Sequence, residues 1–184
     1  MANGRLAQTR IGVLGSGDVG RRLAEGFRGC GHDVMIGTRD PAKPELREWL
    51  SRDGAGIEAG TFAQTAAHGE LLVLAVLGDA AEEAIAEADP DSCSGKVVKA
   101  FNTIGNPYFV HPTFSEGQPT MLIAGDDDGA KRTVGDVLAD FGWSDTVDIG
   151  GIEGSRELEA ICIAWVKIGG ARGAFDHGFK LLVG

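Results

Sequence analysis

The segment Ile11-Gly12-Val13-Leu14-Gly15-Ser16-Gly17-Asp18-Val19-Gly20 sets Gly15, Gly17 and Gly20 at G-x-G-x-x-G spacing. It follows a short apolar run and opens a helical pattern, the context in which this spacing carries a mechanism. Gly15 makes a tight turn, Gly17 lets the backbone approach a pyrophosphate, and Gly20 lets the helix pack closely on the sheet. The helix N-terminus then offers N–H groups and the positive end of its dipole to bound phosphate. The chemistry implied is dinucleotide binding.

The end of the next apolar run decides which dinucleotide. Binders of NAD usually place Asp or Glu there, to take the ribose 2′-hydroxyl. This chain reads Gly37-Thr38-Arg39, with Lys43 four residues beyond. A hydroxyl, a guanidinium and an ammonium attract a 2′-phosphate that a carboxylate would repel, and Arg39 can also stack on adenine. The expected cofactor is therefore NADP(H). Asp40 is read as a cap on the following turn. Asn102 and Thr103 follow another apolar run, and Ala75, Val76 and Leu77 end the one before it. Both sets fall at the carboxyl edge where such sheets bind ligands, so they are candidates to line the ribose and nicotinamide. Capping of a following turn explains Asn102 and Thr103 equally well.

Other groups carry no such pattern. Asp126, Asp127 and Asp128 directly precede a helical stripe and are read as N-cap residues rather than metal ligands. His32, His68, His111 and His177 share no spacing, and Cys30, Cys93 and Cys162 form neither a C-x-x-C pair nor a metal set with them. Scattered cysteines point to a reducing compartment, and the expected location is the cytoplasm. No Ser/His/Asp, Cys/His or paired-carboxylate arrangement nominates a catalytic residue. Arg21 and Arg22 are read as facing solvent; Trp49, Trp143 and Trp165 fit core or interface positions.

The formal net charge of -10 argues against nucleic acid as a partner. No signal peptide is visible, and no apolar run reaches the ~20 residues of a membrane helix. A chain of 184 residues is the size of one domain.

The elements that must position these residues alternate. Ile11–Leu14 and Asp33–Ile36 read as strands, joined by a helix carrying Val19, Leu23, Phe27 and Cys30. A short helix beginning at Pro44 and another near Thr61–His68 lead to an apolar strand, Leu71–Leu77, covered on both faces. A helical stripe from Ala81 to Ala88 follows, then strands at Lys96–Phe101 and Met121–Ala124. A helix from Ala130 to Phe141 and a last strand, Val147–Ile149, complete the series. Strands alternating with helices predict an α/β fold, a Rossmann-type doubly wound and mostly parallel sheet, in one domain spanning residues 1–184. Its core runs from about 9 to 150, with a short C-terminal helical extension over about 151–184. That extension opens with a helix from Glu153 to Ile168, apolar almost all round over Ile161–Val166, which predicts burial in the domain or against a second subunit and a possible homodimer.

The stretch Gly15–Gly20, the turn Gly37-Thr38-Arg39-Asp40-Pro41 and the run Val98-Lys99-Ala100-Phe101-Asn102-Thr103-Ile104 together resemble the NADPH-dependent oxidoreductases of the deazaflavin coenzyme F-420. They are also similar to the cytosolic NADPH-binding domain of six-transmembrane metalloreductases. The resemblance extends through Trp165, Gly169-Gly170 and Gly178-Phe179-Lys180-Leu181-Leu182 to cover nearly the whole chain. It implies direct hydride transfer between the nicotinamide and a deazaflavin or flavin acceptor, with no obligatory acid, base or nucleophile. It also implies cofactor contacts at Ser16, Asp18 and Val19 in the loop and at Thr38, Arg39 and Lys43 around the 2′-phosphate. Lys99, Lys167, Arg172 and Lys180 are available to meet the acceptor's phosphate and acidic tail. The alternatives are an NADPH-dependent reductase of another small substrate and a non-catalytic NADP(H)-binding or sensor protein.

Overall fold

The computed structural model describes residues 6–89 and 95–184, so Cys93 lies outside the described residues. The chain divides into two compact units, Ala7–Gly95 and Lys96–Gly184, the second taking in Leu6.

The first unit runs β1 (Arg10–Leu14), α1 (Asp18–Gly29), β2 (Asp33–Gly37), α2 (Pro44–Ser51), β3 (Glu58–Gly60), α3 (Phe62–His68), β4 (Leu71–Leu74) and α4 (Ala81–Glu87). Its four strands are parallel in the order β3-β2-β1-β4. The chain steps outward from β1 to β3, and α3 then returns it across the sheet to β4. The winding therefore reverses beside β1, the Rossmann-type arrangement that opens a crevice at the carboxyl ends of the strands. Ile11, Val13 and Leu14 of β1 and Val34 and Ile36 of β2 are fully buried, covered by Leu23, Ala24 and Phe27 of α1 and by Phe62 and Ala66 of α3.

Two glycines make the first crossover possible. Gly15 has φ +125° and donates its N–H to the Gly37 carbonyl at 3.0 Å. A Cβ there would stand 2.3 Å from the Ala75 carbonyl oxygen, and one on Gly20 would stand 1.9 Å from the Gly15 oxygen. Only glycine at both positions lets α1 start this close to the end of β1.

The expected strand Leu71–Leu77 stops at Leu74. Ala75 still donates to the Leu14 carbonyl, but at Gly15 the neighbouring chain turns away, leaving β4 without a partner. Nor is it covered on both faces: Leu74 is exposed and Leu77 is 79% exposed. Unforeseen β3 is three residues, Glu-Ala-Gly, with no strand pattern of its own; it exists through pairing with β2 and the 3.0 Å bond from the Thr38 N–H to the Gly60 carbonyl. A capping box starts α3: the Thr61 hydroxyl accepts from the Gln64 N–H, and the Gln64 side chain accepts from the Thr61 N–H.

The second unit contains β5 (Val98–Lys99), β6 (Met121–Gly125), α5 (Asp128–Asp140), β7 (Thr146–Asp148) and α6 (Ser155–Arg172). Strand β6 is central, antiparallel to β5 and parallel to β7. Met121, Ile123, Leu138, Phe141, Trp143 and Leu158 form its core. Lys131 ties α5 to β7 through a 2.7 Å contact with Asp148, which raises the ammonium's pKa and lowers that of the carboxyl.

Here too the sequence expectations shift. The strand expected over Lys96–Phe101 is two residues long, because Phe101 takes φ +62° and turns its ring onto Phe109 and Phe141. The final helix starts two residues later than expected and runs on to Arg172, through Gly169-Gly170, ending at left-handed Gly173. Its all-round burial is not reached within the single chain: Leu158, Trp165 and Gly169 are covered, while Ile163 is 58% and Val166 49% exposed.

Three outcomes are expected. Thr61→Ala lowers unfolding free energy by about 1 kcal/mol, read by urea denaturation, because one orphaned first-turn N–H loses its acceptor. Gly20→Ala costs about 1–3 kcal/mol or more from the collision with the Gly15 carbonyl. Gly17→Ala stays within about 0.5 kcal/mol of the parent, since a Cβ there meets no atom within 4 Å.

Candidate functional site

The geometry centres on the turn between β1 and α1. Gly17 is the N-cap of α1 with extended backbone (φ −76°, ψ −176°), and no side chain caps the helix. The first bond of this helix joins the Arg21 N–H to the Gly17 carbonyl at 2.9 Å. The preceding first-turn N–H groups thus have no carbonyl within the helix to take them. The space over Gly17 is open, as the missing Cβ contacts show. Ser16 is buried, whereas Asp18 and Val19 are exposed at the mouth of the turn. Gly15 and Ala75 meet backbone to backbone, which brings the start of the 75–77 segment against the same turn.

At the end of β2, Thr38 is buried and anchored through its N–H, while Arg39 projects outward. The Arg39 guanidinium lies 3.6 Å from Glu83 of α4, both side chains more than half exposed, so the pair is weak and easily exchanged for a stronger anion. Asp40 folds back on its own turn: its carboxylate accepts from the Ala42 N–H at 2.9 Å, the capping role expected of it. Lys43, half-buried at the N-cap of α2, donates its Nζ to the Ser16 hydroxyl at 2.8 Å. The structure therefore joins the glycine turn and the basic turn, distant in sequence, into one cluster, with Thr38 rather than a carboxylate directly after β2.

Arg21 corrects the expectation that it faces solvent. It is half-buried, donating Nε to the Ser16 carbonyl at 3.0 Å and Nη2 to the Glu45 carbonyl at 3.4 Å. Its guanidinium carbon stands 5.5 Å from the centroid of the Trp49 ring. Nothing in the local pattern of α1 marks this role, because Glu45 and Trp49 come from a different helix. Glu83, which engages Arg39, was likewise invisible from spacing alone.

Val76 is half-buried and Leu77 exposed where the chain leaves β4. Asn102 and Thr103 belong to the other unit, on the turn that follows β5. Thr103 is buried, and the carboxamide nitrogen and oxygen of Asn102 are shielded from solvent with no hydrogen-bond partner. A buried amide with both ends unpaired is costly.

The acidic run is engaged locally. Asp127 caps α5 by accepting from the Ala130 N–H at 2.8 Å and meets Lys96 at 3.0 Å; those two contacts, in that order, hold its carboxyl below the ordinary value. Asp126 accepts from the Ile152 N–H, and Asp128 pairs with Lys131. Among the described residues no group of three or more His, Cys, Asp or Glu side chains is disposed to hold a metal ion. Trp49, Trp143 and Trp165 are all buried. Of the basic residues reserved for an acceptor, Lys99 pairs with Glu159 and Arg172 with Asp176, while Lys180 donates to the Gln118 carbonyl. No helix among the described residues is long and apolar enough to cross a membrane.

Residues 10–99 match the profile of the family described as NADP oxidoreductase, coenzyme F420-dependent. A solved structure from Arthrobacter sp. FB24, provisionally assigned as an F420-dependent NADP-reductase, superposes with a TM-score of 0.90 at 27% identity, covering 95% of this chain and all of the other. Metalloreductase STEAP3 of Rattus norvegicus is 27% identical over 180 positions, covering 83% of this chain; the match spans 36% of that protein's length. An imine reductase from Aspergillus terreus, solved with NADPH4, shares the fold at a TM-score of 0.64 and 19% identity, covering 91% of this chain and 64% of the other. The chain is thus similar to NADP-dependent oxidoreductases, and its residues 10–99 match the model of the family described as NADP oxidoreductase, coenzyme F420-dependent.

Proposed function

We propose that this protein is an oxidoreductase that moves a hydride between NADP(H) and a deazaflavin (coenzyme F-420) or flavin acceptor. The observation that carries the reading is the uncapped, open first turn of α1 set beside Thr38, Arg39 and Lys43, in a chain that matches the model of a family of NADP oxidoreductases. The residues present fit the cofactor's two charged ends. First-turn N–H groups of α1 take the pyrophosphate, with Ser16, Asp18 and Val19 around it. Arg39 exchanges Glu83 for the 2′-phosphate, and Lys43 and Thr38 complete the contact. Ala75, Val76 and Leu77 stand at the carboxyl edge of the first sheet, where the ribose and nicotinamide are placed in this reading.

When bound, NADP(H) supplies the hydride at its nicotinamide ring. The chain's own part is to hold the ring and the acceptor face to face and to exclude water, which needs no proton donor at the reacting atoms. A cytoplasmic setting and a homodimer joined through α6 belong to the same reading, supported by the scattered cysteines and the exposed Ile163 and Val166.

Replacing Arg39 by Ala is expected to weaken NADPH at least about tenfold while changing NADH less than about twofold, measured by fluorescence titration. Equal losses would remove the 2′-phosphate assignment. Mixing the protein with NADPH and either the deazaflavin or FMN is expected to bleach the deazaflavin's visible absorbance rapidly. Bleaching of FMN alone moves the protein to a flavin reductase, and tight NADPH binding without turnover on either acceptor refutes the proposed reaction.

A further inference from the structure

We propose that Arg21 is a positioning residue for dinucleotide selectivity, bracing the Gly15–Gly20 turn against the start of α2 so that Lys43 is held where a 2′-phosphate must sit. The inference rests on the NADP(H) reading above and deepens it.

Ser16 is gripped at both of its polar ends. Its carbonyl accepts from Arg21 Nε at 3.0 Å, and its hydroxyl accepts from Lys43 Nζ at 2.8 Å. The same guanidinium reaches the Glu45 carbonyl, two residues beyond Lys43, at 3.4 Å. One planar fork therefore spans the glycine turn and the first turn of α2. The face of that fork lies over buried Trp49, whose indole N–H donates to Glu25 of α1 at 2.9 Å. Trp49 is thereby tied to α1 and gives the guanidinium a fixed bed. A lysine could satisfy one carbonyl, but it has no second donor in a fixed plane and no planar face to stack.

The consequence divides the two dinucleotides. Both carry a pyrophosphate and use the glycine turn; only the phosphorylated one uses Lys43. A loosened brace lets Lys43 and the turn drift apart, which costs the phosphorylated cofactor more. A purely structural staple between α1 and α2 would instead lower thermal stability and leave the ratio of the two affinities unchanged.

The test uses the full chain. Arg21→Met and Arg21→Lys are made alone and in a Lys43→Ala background, and NADPH and NADH affinities are titrated alongside Tm. Arg21→Met is expected to lower the NADPH:NADH affinity ratio about five- to tenfold with Lys43 present and to leave it unchanged with Lys43 removed, the signature of two residues acting as one unit. Arg21→Lys recovers less than half of the loss. Should Arg21→Met fail to fold, Arg21→Lys carries the same comparison. An unchanged ratio beside Lys43, or an equal drop without it, overturns the inference and leaves the NADP(H) reading intact. A parent chain that binds NADH as tightly as NADPH removes the NADP(H) reading, and this inference with it.

Discussion

Everything at the carboxyl edge of the first sheet depends on one close approach: the Gly15 carbonyl lies where a side chain on residue 20 would have to be. That contact sets where α1 begins relative to β1. It also decides that the helix's first-turn N–H groups face outward over the crevice. The left-handed Gly15 completes the same turn and passes its N–H to β2, so the turn, the first helix and the second strand are fixed together. Packing and ligand geometry are thus one constraint, and neither can be relaxed without the other.

Electrostatics works against the global charge here. A chain with a net charge of -10 repels phosphates at a distance. The local supply of positive potential is correspondingly specific: backbone N–H groups of α1, the exposed side chain of Arg39, and an ammonium at Lys43 stationed on a hydroxyl. Glu83 keeps Arg39 in place without committing it, because both side chains are largely in water.

The glycine turn was legible in the sequence because its requirement is steric and local; residues 15 and 20 must lack a Cβ, and the spacing says so. The basic turn was legible as a run of residue types, Thr38 and Arg39 standing directly after β2 with Lys43 beyond, although its tie to Ser16 was not. Less local features escaped. Strand β3 owes its existence to a partner strand and not to its own Glu-Ala-Gly. The apolar run ending at Leu77 looks like strand throughout, yet pairing ceases where Gly15 diverts the neighbouring chain. Phe101 reads as strand but is turned by its aromatic neighbours. The links of Arg21 to Glu45, and of Glu25 to Trp49, each cross 24 residues, beyond any motif's reach.

The turn from Thr38 to Lys43 is pinned at its root, where Gly37 and Thr38 bond to Gly15 and Gly60, and again where Asp40 caps its own backbone. Between those pins Arg39 stands clear of the hydrophobic core. A change at Arg39 therefore alters the charge that the turn presents without opening the core. At that one position the electrostatic face of the first unit can be redrawn while the sheet beneath stays as it is.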